Sequence, residues 1–246
     1  MRRSTDRHNA QLVGFVSLVV AGGAATFWAS GWPRPSPEPL ALLFWLLANL
    51  LCEILWLPAP AGRGYLSMGT ASNFATLLLL PAGPAAATAA LAGAVADAVF
   101  RRRKWYQVLF NMGMCAIAIA SASHVFAALG GNRSGPGEIV SPLNAGPLAA
   151  AALTFFLANT WLVAGVVSLQ HRRPFVAVWR TQFAFNHAVL GTGVLLVLGY
   201  FCAILFLTWG YMSAFIAAAA AYFVRDAYGR FVREVVDGPG ALGTPP

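Results

Sequence analysis

The chain has 246 residues, 59% of them hydrophobic and only 10% charged. A soluble domain carries about 25% charged residues, so a water-facing surface is excluded and the length is better divided into membrane spans. The net charge is +8, but the cations sit in short segments between apolar runs and build no separate basic domain of the kind that grips nucleic acid.

Met1 to Gln11 is a polar, basic start that includes Arg2, Arg3 and Arg7. Leu12 to Trp28 is the first apolar run. Its flanks also fit a signal peptide, but its length favours a retained helix. Cleavage would leave seven spans in the same orientation. Gly31 to Pro39 holds four prolines and reads as a loop. Leu40 to Leu57 is the second span, closed by Pro58-Ala59-Pro60, and Gly62-Arg63-Gly64 is a short loop. Leu66 to Leu80 and Ala85 to Phe100 are the third and fourth spans, joined by a tight turn from Pro81 to Pro84. At 15 and 16 residues both fall short of the roughly 17–25 that a span needs.

The basic block Arg101, Arg102, Arg103 and Lys104 follows, and it sets the topology because Lys and Arg are retained on the cytoplasmic face. Tyr106 to Leu129 is the fifth span. Gly130 to Gly146 is the longest loop, and Pro147 to Leu169 is the sixth span. His171 to Gln182 is basic, and its middle fits a short interfacial helix. Phe183 to Trp209 is the seventh span, and Tyr211 to Val224 begins an eighth that continues into an amphipathic exit, Arg225 to Asp237. The expected architecture is therefore an all-α, polytopic bundle of about eight spans with both termini cytoplasmic. Residues 1–11 form the basic N-terminus, 12–229 the bundle, and 230–246 the exit helix and tail. Fourteen of the 16 Lys and Arg residues then fall on one side, with only Arg34 and Arg133 opposite. Trp28, Trp32 and Trp209 lie at one level and Trp56, Trp105 and Trp179 at the other, as an aromatic belt requires.

Polar side chains inside hydrocarbon are costly and must find partners or water. The candidates are Asn49, Glu53, Asn73, Asp97, Asn111, Asn159, Asn186 and His187, nearly all in the half that carries the basic loops; His124 is the exception. Two readings stand. In one, these groups bond across helices, with Asp97 and Arg101 as an i,i+4 ion pair. In the other, they line a shared pocket for a small ligand or ion, and the common helix face of Asn49 and Glu53 favours it. Ala89, Gly93 and Ala96 present small residues at helical spacing, which lets a neighbouring helix come close. The three cysteines, Cys52, Cys115 and Cys202, lie inside apolar runs and read as small buried side chains. The chain carries no Gly-rich phosphate loop, His-Glu-x-x-His, nucleophile elbow or paired-carboxylate motif, so no catalytic residue, metal or cofactor is expected.

One ordered set of residues carries a resemblance: Glu53 before a Pro-terminated span, Ser72-Asn73-Phe74 running into leucines and Gly83-Pro84, an Ala-rich helix to Asp97, Arg101-Arg102-Arg103-Lys104-Trp105, Val108-Leu109-Phe110-Asn111, and later Phe155 to Thr160. From Leu40 to Tyr228 the chain is similar to the multi-span N-terminal membrane region of bacterial signalling proteins. Those proteins carry HD-GYP-type phosphohydrolase or diguanylate cyclase output modules. The resemblance implies a sensor-like module of the cytoplasmic membrane that relays to a cytosolic partner. No HD pair or GGDEF-like segment occurs in these residues, so output activity does not carry over. The chain is then expected to be free-standing, a fragment, or the partner of a separate output protein. Two rival expectations remain. One is a transport component resembling the small substrate-binding membrane subunits of vitamin uptake systems, partnered by an ATPase. The other is an intramembrane enzyme using Glu53, Asp97 or His187.

Overall fold

The computed structural model describes residues 2–33, 37–58, 65–183 and 187–216, with isolated positions from 219 to 230. The Arg63 loop, Asn186 and the tail from 231 onward lie outside the described residues. The chain is a helical membrane protein. Five segments are long and apolar enough to cross a bilayer: Ala10–Ser30, Ala82–Phe100, Trp105–Ala128, Pro142–His171 and Gly191–Ile216.

Helix α1, Arg2–Ser30, takes in the polar start as well as the apolar run, since nothing between Arg2 and Gln11 is Pro or Gly and nothing there stops the helix. Helix α2 is Pro39–Ile54. The second span was expected to run to Leu57, but Trp56–Pro58 leaves the helix as strand β1 and pairs antiparallel with β2, Tyr65–Ser67, with Trp56 opposite Ser67. Helix α3, Gly69–Leu79, is only 11 residues long. At about 1.5 Å per residue it covers roughly half of a 30 Å hydrocarbon core.

Helix α4, Ala82–Val95, starts inside the expected Pro81–Pro84 turn. Pro84 sits in its first turn, where a missing N–H costs nothing, so only Leu80 and Pro81 remain between the two helices. A π-helical turn, Ala96–Phe100, continues α4. Helix α5 is Trp105–Ala128. The long loop that follows is largely structured, holding α6, Pro136–Ile139, and a 3-10 turn, Pro142–Asn144. Helix α7 is Ala145–His171, and the interfacial helix α8 forms at Phe175–Gln182. Helix α9 is His187–Trp209, ending in a 3-10 turn at Gly210–Met212. In the exit segment Arg230 Nε donates to Asp226 Oδ2 at 3.0 Å, a four-residue pair of the kind a helix makes.

Contacts along the helices fix their directions. Phe15 meets Phe110 and Ser30 meets His124, so α1 and α5 run parallel. Gly83 of α4 lies against Gly31 while Asp97 reaches Asn111, so α4 runs opposite to both. Phe155 of α7 packs on Phe74 and Gly165 on Phe15. Phe206 of α9 packs on Phe44 of α2. Arg101 thus marks one end of the bundle and Arg133 the other.

The core is centred on α3, which packs against α2, α4, α5 and α9. Ala75, Leu77 and Leu78 are fully buried there. Close approach between helices is not made at Gly93, where a Cβ would meet nothing. It is made between α1 and α5, where a Cβ on Gly23 would lie 2.4 Å from the Gly113 Cα and one on Gly113 would lie 2.7 Å from the Val19 oxygen. Gly113→Leu is therefore expected to destabilise the bundle by at least the 1–3 kcal/mol typical of overpacking, about the cost of a strained core insertion. The measurement is the apparent melting temperature in mild detergent, with Gly93→Leu as the variant that leaves it near the parent value.

Candidate functional site

Both ends of helix α3 are buried, Gly69 at its start and Leu80 just past its end, so its free N–H groups and carbonyls need partners within the protein. At its start, Ser67 at the end of β2 accepts from the Gly69 N–H at 3.0 Å and donates to Glu53 Oε2 at 3.0 Å. The Glu53 carboxylate, from the last turn of α2, therefore lies at the N-terminus of α3, where the helix dipole favours an anion. A side chain at 69 would push this carboxylate from its place, because a Cβ would sit 2.0 Å from Glu53 Oε1.

Arg101 completes this site. Its Nη2 donates to the Glu53 backbone oxygen at 2.6 Å and to Oε2 at 2.9 Å, and its Nη1 donates to Asp97 Oδ1 at 2.7 Å. Arg103 Nε lies 3.3 Å from the same Asp97 oxygen. The Asn111 amide of α5 donates to the other oxygen, Asp97 Oδ2. Asp97 is 1% exposed, and the Glu53 and Arg101 side chains 13% and 14%. Burial opposes the charge on Arg101, but the hydrogen-bonded Asp97 and Glu53 outweigh it and hold its proton more tightly than usual. Among the described residues, two carboxylates and two guanidinium groups meet in one cluster.

The backbone makes this possible. The Arg101 N–H bonds to the Ala96 oxygen, five residues back, and the Arg103 N–H to the Asp97 oxygen. Arg102 between them adopts a left-handed φ of 49°, a conformation that costs a non-glycine residue roughly 1–3 kcal/mol. The chain thereby folds Arg101 and Arg103 back onto one carboxylate.

The other predicted residues are dispersed. Asn49 is fully buried but faces away from this cluster's ions, donating to Thr76 Oγ1 at 3.1 Å. Asn73 approaches Cys115 Sγ at 4.0 Å, and its Oδ1 has no partner among the described residues. Asn159 is half-buried, with no hydrogen bond among the described residues. His187 opens α9, and its side chain, like Asn186, lies outside the described residues. Glu53, Asp97 and Asn111 are therefore brought together; Asn49, Asn73 and Asn159 do not join them. No group of three His, Cys, Asp or Glu side chains able to hold a metal occurs among the described residues.

Sequence reasoning overlooked Ser67, Gly69 and Thr76, and it read Arg133 only as a charge on the minority side. Arg133 caps the other end of α3. Its Nη1 donates to the Leu80 oxygen at 3.0 Å and reaches the Leu77 oxygen at 3.4 Å and Ser123 Oγ at 3.5 Å. The guanidinium stands 5.0 Å from the centre of the Phe126 ring. Burial lowers its pKa from the ordinary arginine value. Asn144, itself 2% exposed, clamps this loop by donating to the Asn132 oxygen at 2.6 Å and the Glu138 oxygen at 2.8 Å. The one available signal was a lone arginine next to Gly130-Gly131, which marks a chain folding back on its own helix end.

Comparison with known proteins finds no matching family model, no matching curated protein and no matching solved structure. The geometry must therefore carry the functional reading.

Arg101→Gln would remove the guanidinium that bridges Asp97 and Glu53, and breaking a buried pair costs roughly 3–5 kcal/mol. The variant is expected to melt well below the parent in detergent. Combining it with Glu53→Gln and Asp97→Asn removes the carboxylate charges that Arg101 answers and is expected to recover much of the loss. Equal melting of the single and triple variants would show that the ions are not coupled.

Proposed function

We propose that this chain is a signalling module of a bacterial cytoplasmic membrane. In this reading it spans the bilayer eight times with both termini and the Arg101 end in the cytoplasm, and it relays a small ligand or a change in the bilayer to a cytosolic partner. The charge bias in the loops and the sequence resemblance support the orientation and the class. The observation that carries the reading is the closed ion cluster at the Arg101 end. It ties the end of α2, the start of α3, the π-helical turn and α5 to one another, so movement of any of these elements must be accommodated by the rest.

Helix α3 offers a route onward. Gly199 of α9 lies so close to α3 that a Cβ there would be 2.3 Å from the Ala71 oxygen. Helix α9 leads through Gly210–Met212 into the last apolar segment, and the exit segment follows it in the chain. A π-helical turn at the cluster supports the same idea, since such insertions are frequent at functional sites. In this account Glu53, Asp97, Asn111 and Arg101 are the residues whose contacts change, and the exit segment delivers the change.

A second reading is favoured by one feature. A helix of only 11 residues with both ends capped by side chains is similar to the short, interrupted spans that form transporter sites. It supports a transport component partnered by an ATPase.

The test compares cyclic-dinucleotide levels in cells holding the intact chain, a chain lacking residues 225–246, and no chain, with membrane insertion checked by fractionation. The intact chain is expected to change the level and the truncated chain to match its absence. Equal levels in all three, together with an ATPase retained on purification, would replace the signalling account with the transport one.

A further inference from the structure

The basic block at the end of α7 differs from the one at the end of α4 in a way that points to a partner. At Arg101 to Lys104, two arginines are engaged by Asp97 and Glu53. Arg172, Arg173 and Arg180 have no ion pair among the described residues, and the sequence contains no Asp or Glu between Glu138 and Asp226. No acid among the described residues answers their charge.

One of these arginines, Arg173, lines a cleft, and Arg172 and Arg180 are close to its lining residues in the chain. The turn after α7 places Arg172 at a left-handed φ of 55°. It is held by the Arg173 N–H donating to the Ser168 oxygen at 3.1 Å and by Ser168 Oγ donating to the Arg173 oxygen at 2.6 Å. Helix α8 then lies back on α7: Val178 is 3% exposed, and the Trp179 indole N–H donates to Thr160 Oγ1 at 3.2 Å. Between them is a cleft of about 260 Å³ lined by Val167, His171, Arg173, Val178, Thr181 and Gln182.

Its lining has two characters. Arg173 and Gln182 supply N–H donors. The Thr181 hydroxyl is already spent on the Ala177 oxygen at 2.8 Å, and His171 Nδ1 sits 3.1 Å from the Val167 oxygen. Val167 and Val178 supply an apolar wall. Phe175 and Val176 of α8 are exposed at 39% and 61%, as in a helix lying in the headgroup layer.

We propose that this cleft seats the phosphate headgroup of an anionic phospholipid, with Arg173 on the phosphate, Arg172 and Arg180 supplying the surrounding field, and the valines against the start of the acyl chains. A soluble phosphate would satisfy the cations but has no use for the apolar wall or for a helix that lies in the interface. Basic clefts between membrane helices are suited to such headgroups. The inference requires only that the chain is a membrane protein and stands apart from the signalling account.

The experiment uses the full-length chain, delipidated in mild detergent. Phosphatidylglycerol, phosphatidylcholine of the same acyl chains, or inorganic phosphate is added, and bound lipid is counted by native mass spectrometry. The parent is expected to retain phosphatidylglycerol at least about fivefold better than phosphatidylcholine, the scale of one cation at a membrane surface, and inorganic phosphate is expected not to displace it. Arg173→Gln is expected to lose that preference, whereas Arg102→Gln, which removes the same charge elsewhere, keeps it. Equal retention of the two lipids, displacement by inorganic phosphate, or equal loss in both variants would overturn the proposal. A photoactivatable phosphatidylglycerol on the parent chain gives a reading that needs no variant: crosslinks should concentrate within residues 167–182, and an even spread over the bundle refutes the site.

Discussion

A helix whose two ends are both buried leaves backbone groups that cannot turn to water and must be met by the protein. Helix α3 is that helix, and both of its ends are met by charge of the favourable sign. The Glu53 carboxylate and the Ser67 hydroxyl stand at its N-terminus, and the Arg133 guanidinium stands at its C-terminus. Dipole and hydrogen bonding act in the same direction at each end. The neighbouring architecture follows from this requirement. The β-hairpin brings Ser67 to the start of the helix, glycine at 69 leaves room for the carboxylate, and the clamped loop after α5 holds Arg133 over the last carbonyls.

A carboxylate placed at that depth needs a counter-charge, and Arg101 supplies it while also answering Asp97. The π-helical turn and the left-handed Arg102 are the backbone's means of aiming two arginines at one acid. A similar turn at the end of α7, an arginine in the left-handed region followed by another arginine, meets no acid among the described residues. Two basic blocks that look alike as text thus do different things. One is closed within the protein and locks helices together, and the other faces outward.

Most of the helices were legible because Pro and Gly punctuate the apolar runs, as at the prolines from Pro33 to Pro39 that lead into α2 and at Pro174 before α8. The hairpin was not, because Trp56-Leu57-Pro58 continues an apolar run and β-pairing depends on a partner strand supplied later in the chain. The start of α4 was misplaced because Pro84 looks like a turn residue yet is tolerated in a first helical turn. Of the polar candidates, the i,i+4 pair Asp97–Arg101 was readable from spacing alone. That Glu53 joins them, while Asn49 on the same helix face turns to Thr76, depends on which helix packs on which.

Composition and pattern by themselves determined the solvent, the helical class and the segregation of positive charge into a few loops, because these follow from transfer energies that each residue carries wherever it sits. Tertiary structure alone decided that α3 is a short helix capped at both ends, that Arg133 and Glu53 serve opposite ends of it, and which arginines meet an acid among the described residues. Those outcomes depend on contacts between residues as far apart as Glu53 and Arg101 or Leu80 and Arg133, and no local periodicity encodes a contact of that range.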